Sequence, residues 1–142
     1  MNEFRSTVNQ EAGSLTAFVA VFMVALFAVG GLVVDGGRYL AARQACQSEA
    51  EQAARAGADA IDTGMLRQGV VSVDPSGGVN AAESYMAIAG HPGSAAVSGS
   101  SVTASVDAYP LQTTLLGIIG ISHFEVDASA TANAIHGVTA GS

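Results

Sequence analysis

Residues Leu15 to Val34, LTAFVAVFMVALFAVGGLVV, form an uninterrupted run of twenty uncharged, mainly apolar positions. A helix of that length spans roughly 30 Å, the hydrocarbon thickness of a bilayer. A soluble helix seldom has to be apolar on every face over such a length. The run therefore predicts a transmembrane helix, bounded here as 14–35, with the lipid bilayer as its surroundings. Two other readings fit the same residues. A secretory signal would be cut at Ala28-Val29-Gly30, which has the required small-x-small form. A helix wrapped inside a soluble core would need more chain around it than the remaining residues provide.

The pattern changes after Asp35. Residues Arg38 to Asp62 are rich in Ala, Gln, Glu and Arg, all strong helix formers, and contain no proline. Glu51 and Arg55 stand four apart in the favourable order, and Arg55 and Asp59 form a second, weaker pair. The helix is expected to continue as a stalk over 36–62, with Gly36-Gly37 as the place where it would bend. From Ser14 to Asp62 such a rod would measure about 70 Å. Ala42, Cys46, Ala50, Ala54 and Ala58 recur every four residues along one ridge. A ridge of small residues lets another element approach closely. It serves equally well for packing between subunits or for seating this chain's own sheet.

The remaining residues, 63–142, read as a small α+β domain. Val70 to Val73 suggests a brief strand, and Asp74-Pro75-Ser76-Gly77-Gly78 a turn. Asn80 with Glu83 three residues later forms a capping box ahead of a helix over Ala81–Ala89, which Gly90 ends. Ala95–Ser98, Gly99-Ser100 and Ser101–Ala108 read as a hairpin closed before Pro110. Leu111 to Ile121 is apolar without a strand period, and a short helix is expected there. The last strand alternates most clearly. Phe124, Val126, Ala128, Ala130, Ala132 and Ala134 share one face, and Glu125, Asp127, Ser129, Thr131 and Asn133 the other. The expected architecture is α+β and pilin-like. A long N-terminal transmembrane-plus-stalk helix packs on a small, mostly antiparallel sheet. One short helix precedes the hairpin and another lies between the last two strands.

Charge narrows the range of partners. The net charge is −7, with five Arg and no Lys. Residues 63–142 carry Arg67 against Asp74, Glu83, Asp107, Glu125 and Asp127, so neither nucleic acid nor an anionic lipid surface is an expected partner. On the two flanks of the apolar run, Arg5 stands with Glu3 and Glu11, and Arg38 and Arg43 stand with Asp35. This cation count does not by itself place the N-terminus inside. Asp35 and Arg38 mark the membrane boundary. There Asp35 has two uses: pairing with Arg38, or capping a break at Gly36-Gly37.

Chemistry for catalysis is not evident. His91, His123 and His136 fall in three separate segments without metal-ligand spacing, and Glu125 with Asp127 reads as a solvated strand face. No phosphate-binding glycine loop and no nucleophile elbow occurs. Neither enzymatic activity nor a cofactor is expected. Cys46 is the single cysteine, which excludes an internal disulfide. Its thiol serves either as a small residue on a helix face or as a link between two copies in a homo-oligomer.

Three groups of residues together resemble the TadE/TadG-like pilus assembly proteins: Glu11-Ala12-Gly13-Ser14 before the apolar run, Val34-Asp35-Gly36-Gly37-Arg38 after it, and Gln52-Ala53-Ala54-Arg55-Ala56-Gly57-Ala58. The resemblance extends through Val73-Asp74-Pro75, Val102-Thr103-Ala104-Ser105-Val106 and Leu115-Leu116-Gly117-Ile118-Ile119-Gly120-Ile121, and so over nearly the whole chain. It implies a minor pilin or pseudopilin-like component of a tight-adherence, Flp-type pilus, working with other pilin-like and pilus-assembly membrane proteins. It also implies the bacterial cytoplasmic membrane, a cytoplasmic leader over 1–13, and an exported domain over 63–142. A prepilin peptidase would cut after Gly13 and leave Ser14 as the first mature residue. At the fifth mature position, where pilin-like proteins usually carry Glu, this chain has Phe18. In pilins that carboxylate meets a neighbour's amino terminus in the filament core. Its absence points to a tip, initiating or membrane-resident factor. The competing expectation is a binding module released after cleavage at Ala28-Val29-Gly30.

Overall fold

The computed structural model describes residues 3–135, with side chains described over 14–135. Helix α1 runs from Glu3–Ala58, α2 from Thr63–Leu66 and α3 from Pro75–Ala89. Strand β1 covers Gly93–Ser98, β2 Ser101–Gln112 and β3 His123–Asn133, with a 3₁₀ turn at Leu116–Ile119 between the last two strands. The strands form one sheet in the order β1-β2-β3. This is the expected α+β, pilin-like plan, a long apolar helix packed on a small antiparallel sheet. The chain divides into two compact units. One comprises Met1–Tyr39 with Gln112–Phe124, the other Leu40–Leu111 with Glu125–Ser142.

In the second unit, the small ridge of α1 is used inside the fold. Cys46, Ala50, Ala53, Ala54 and Ala58 are buried together with Val73, Ala82, Met86, Val102, Ala104, Val106, Val126 and Ala128. With methyl-sized side chains on the helix, backbone can approach backbone. A Cβ placed on Gly57 would lie 2.8 Å from the Gly78 carbonyl oxygen and 2.8 Å from Val102 Cγ1. One placed on Gly78 would lie 2.7 Å from Val73 Cγ1. The two glycines thus set how closely α1 and α3 cross.

The helix ends at Ala58 rather than Asp62 because the next residues find other partners. Ile61 bridges Val73 in antiparallel fashion, and Asp62 caps α2 by accepting from the N–H groups of Gly64 and Met65. That single bridge is all that forms where a strand over Val70–Val73 was expected. Helix α3 begins at Pro75, six residues earlier than the Asn80 cap implies. Asp74 is the N-cap, accepting from Ser76 and Gly77 N–H, and Pro75 occupies the first turn, where no N–H is required. Glu83 does not close a capping box; its carboxylate accepts from Ala95 N–H at the start of the sheet. Gly90 ends the helix at φ 96°, a left-handed conformation suited to glycine.

The hairpin forms as expected, with Ser98 opposite Ser101 and Ala95 opposite Ala104. Pro110 does not close it: β2 continues to Gln112. On β2, Val102, Ala104 and Val106 face the core, and on β3 Val126 and Ala128 do. Thr103 and Thr131 share a hydrogen bond of 2.9 Å across the opposite, polar face. The short helix expected within Leu111 to Ile121 is present as the 3₁₀ turn Leu116–Ile119, narrower than the apolar run because Leu111 and Gln112 belong to β2.

Candidate functional site

Within the first unit, the side chains of α1 from Leu15 to Val34 are almost all exposed, although they are among the most apolar in the chain. Phe18, Val21, Phe27, Val29 and Val33 are each more than three-fifths exposed. Mean hydropathy over the best window reaches 2.8, and among the described residues this is the one helix long and apolar enough to cross a membrane. Phe18 and Phe22, one turn apart, stack with ring centroids 6.2 Å from each other. Phe18 therefore contributes an exposed aromatic face to this part of α1.

The upper end of the apolar run meets a second segment of the same unit. A Cβ on Gly31 would touch Leu115 Cβ at 3.2 Å and Leu116 Cδ2 at 3.3 Å, so the glycine admits this segment close to the helix axis. Four residues further on, one turn up the same face, lies Asp35. It is 2 % exposed. Its Oδ1 accepts the Thr114 N–H at 2.9 Å, and its Oδ2 accepts the N–H groups of Leu115 and Leu116, both at 2.8 Å. Arg38 Nη1 lies 4.0 Å from Asp35 Oδ1 and donates to the Thr114 hydroxyl. A buried carboxylate is tolerated when its lone pairs are met by donors and a cation stands nearby, and both conditions hold here. Asp35 thus pairs with Arg38 as one reading of the sequence had it. What it caps, however, is not a break at Gly36-Gly37, which α1 passes through as helix. It caps backbone 79 to 81 residues away. Tyr39 closes the unit by packing its ring on Phe124 with centroids 5.4 Å apart.

The other sequence-predicted positions fall as follows. Ser14 is exposed on α1; the surroundings of Gly13 lie outside the described residues. Ala42 is half-buried, while Cys46, Ala50, Ala54 and Ala58 are buried within this chain's own domain. The Cys46 thiol is pushed up from its ordinary pKa by burial and, next, by the negative charges of Glu49 and Asp127. It is a buried core residue in this structure. Sequence reasoning missed His91 as a structural partner. Its Nδ1 lies 2.8 Å from Glu49 Oε2, and its ring stacks on Tyr109 with centroids 4.4 Å apart. Burial raises the Tyr109 pKa, with smaller contributions from Cys46 and Glu49. His136 lies outside the described residues. Among the described residues, no three of His, Cys, Asp and Glu gather where a metal ion would be held.

Residues 13–60 match the family described as putative Flp pilus-assembly TadE/G-like. The match covers the apolar run, Asp35, Arg38 and the small ridge, and stops before α2. It is narrower than the resemblance read from the sequence, which ran on to Ile121. Comparison with curated proteins and with solved structures finds no match.

Proposed function

We propose that the protein is a membrane-anchored, minor-pilin-like structural or assembly component of a tight-adherence pilus or a related secretion system. One observation carries this reading. A twenty-residue apolar run, exposed on nearly every face, lies within the stretch that matches the TadE/G-like family. Exposure of that much apolar surface is incompatible with water and suits lipid or a bundle of like helices. On this reading the apolar helix is a single span in the bacterial cytoplasmic membrane, with its N-terminus inside and residues 63–142 outside. Gly13–Ser14 is then the position at which a prepilin peptidase would act.

Phe18 gives the reading its finer form. Without a carboxylate there, the subunit lacks the group that would neutralise a neighbour's amino terminus in a filament core. A low-copy tip, initiating or membrane-resident role follows. Deleting the gene should reduce piliation sharply while the protein itself stays scarce in sheared pili. Abundant recovery along filaments would defeat the low-copy role. A mature N-terminus beginning at Gly31 in the culture medium would defeat the anchor and favour the secreted module.

A further inference from the structure

The segment that Asp35 caps has the features of a membrane-inserting element in its own right. From Leu111 to Ser122 it reads LQTTLLGIIGIS, with no charged residue. Leu116 is buried, but Ile118 is 79 % exposed, Ile119 49 % and Ile121 43 %. Ile118 and Ile119 lie next to the apolar helix, not apart from it. Val24, Phe27 and Ala28 line one groove together with Leu115, Ile118 and Ile119. At helical rise, Gly31 lies about 6 Å below Asp35, Ala28 about 10 Å and Val24 about 16 Å. With Asp35 at the boundary of a hydrocarbon layer roughly 30 Å thick, Ile118 and Ile119 would reach well into one leaflet.

Irregular backbone at that depth needs its polar groups satisfied from within the protein. The segment meets that demand closely. The N–H groups of Thr114, Leu115 and Leu116 are taken by the Asp35 carboxylate. Those of Ile118, Gly120 and Ile121 go to the carbonyls of Leu115, Gly117 and Leu116. The Thr113 N–H goes to the Ser122 carbonyl and its hydroxyl to the Ile121 carbonyl, closing the base of the turn. A loop with apolar side chains outward and its hydrogen bonds turned inward is built for lipid more than for water.

We propose that Leu115–Ile121 is a second lipid-embedded element, set in the outer-leaflet hydrocarbon beside the anchor, with Asp35 as the capping group that lets it enter. The inference rests on the anchor reading above, and continuity with that apolar surface identifies the occupant as acyl chains. It is tested on the full chain, reconstituted at low protein-to-lipid ratio in phosphatidylcholine vesicles with Cys46→Ala. Single cysteines are introduced by Ile118→Cys, Phe22→Cys and Asp107→Cys, all at exposed positions, and carry an environment-sensitive fluorophore. Lipids brominated at mid-chain should quench the label at position 118 as strongly as the one at position 22. Aqueous iodide should quench only the label at position 107. Strong lipid quenching at 22 with iodide quenching at 118 overturns the proposal and leaves the anchor standing. Protection at 118 from both quenchers also overturns it, because a protein neighbour would then fill the groove. Absence of lipid quenching at 22 removes the anchor and the proposal together.

Discussion

At the scale of single residues, two positions concentrate the structural consequences. Asp35 holds three backbone N–H groups with one carboxylate. In Asp35→Asn, only one side-chain oxygen remains as acceptor, and the amide donors then face other donors. Amide exchange at Thr114, Leu115 and Leu116 should accelerate on the order of tenfold or more, while that around Met86 stays unchanged. Unaltered exchange at those three amides would show that the carboxylate is not what orders the turn. Gly57 is the second position. Its missing Cβ makes room for the Gly78 carbonyl and Val102. Gly57→Ala should destabilise the fold by about 1–3 kcal/mol in chemical denaturation, the usual cost of overpacking. Because Gly57 and Gly78 oppose each other, the double alanine variant should cost less than the sum of the two single ones. Neither role is legible in the sequence. Asp35 reads as a boundary acid because its partners lie some eighty residues downstream, and Gly57 reads as one small residue among many in an alanine-rich stretch.

At the scale of elements, local signals were legible where the competing interactions were also local. The hairpin, the alternation of β3 and the glycine stop of α3 follow from turn chemistry and period. The start of α3 was misread because Gly77-Gly78 resembles a turn, whereas Asp74 followed by Pro75 is itself a strong helix-start signal. The same cap gives the element a pH response. The Gly77 N–H, the Ser76 hydroxyl and the Ser76 N–H hold the Asp74 carboxyl below the usual carboxylate range. Unfolding returns it to that range. The ionised group therefore stabilises the fold fully above the ordinary value, and this contribution is lost as pH falls through the lowered folded one. Asp74→Asn keeps a capping oxygen but removes the titration. Thermal midpoints of the parent and this variant should differ by a constant amount near neutrality and converge under acid conditions. A gap that widened on acidification would reverse the assigned sign. In the Leu111–Ile121 segment the short helix was legible, but its extent and what orders it were not. Continuous apolarity carries no period, so it does not distinguish a helix from a turn whose order comes from a distant carboxylate.

At the scale of the whole molecule, the sequence conveyed the long apolar helix and the α+β plan but left open what the small ridge is for. Burial of Cys46, Ala50, Ala54 and Ala58 against the sheet gives the ridge a use inside the chain. Any helix partner must therefore be sought on the apolar run or on the exposed flanks of the stalk. On the anchor reading, the forces that would hold the protein at a membrane can be separated experimentally. A net charge of −7 gives no electrostatic attraction to anionic lipid, so surface adsorption is disfavoured. Twenty consecutive uncharged, mainly apolar residues favour insertion strongly enough that one misplaced charge, costing about 2.5–3.5 kcal/mol at the span's centre, should not expel it. The protein should stay in the membrane fraction through high-salt and alkaline-carbonate washes and leave only with detergent. A Leu26→Arg variant should behave the same way, because the remaining apolar side chains outweigh the single charge. Release of the parent by salt or carbonate alone would mean that the exposed face of α1 is covered by protein at the membrane surface and not by lipid.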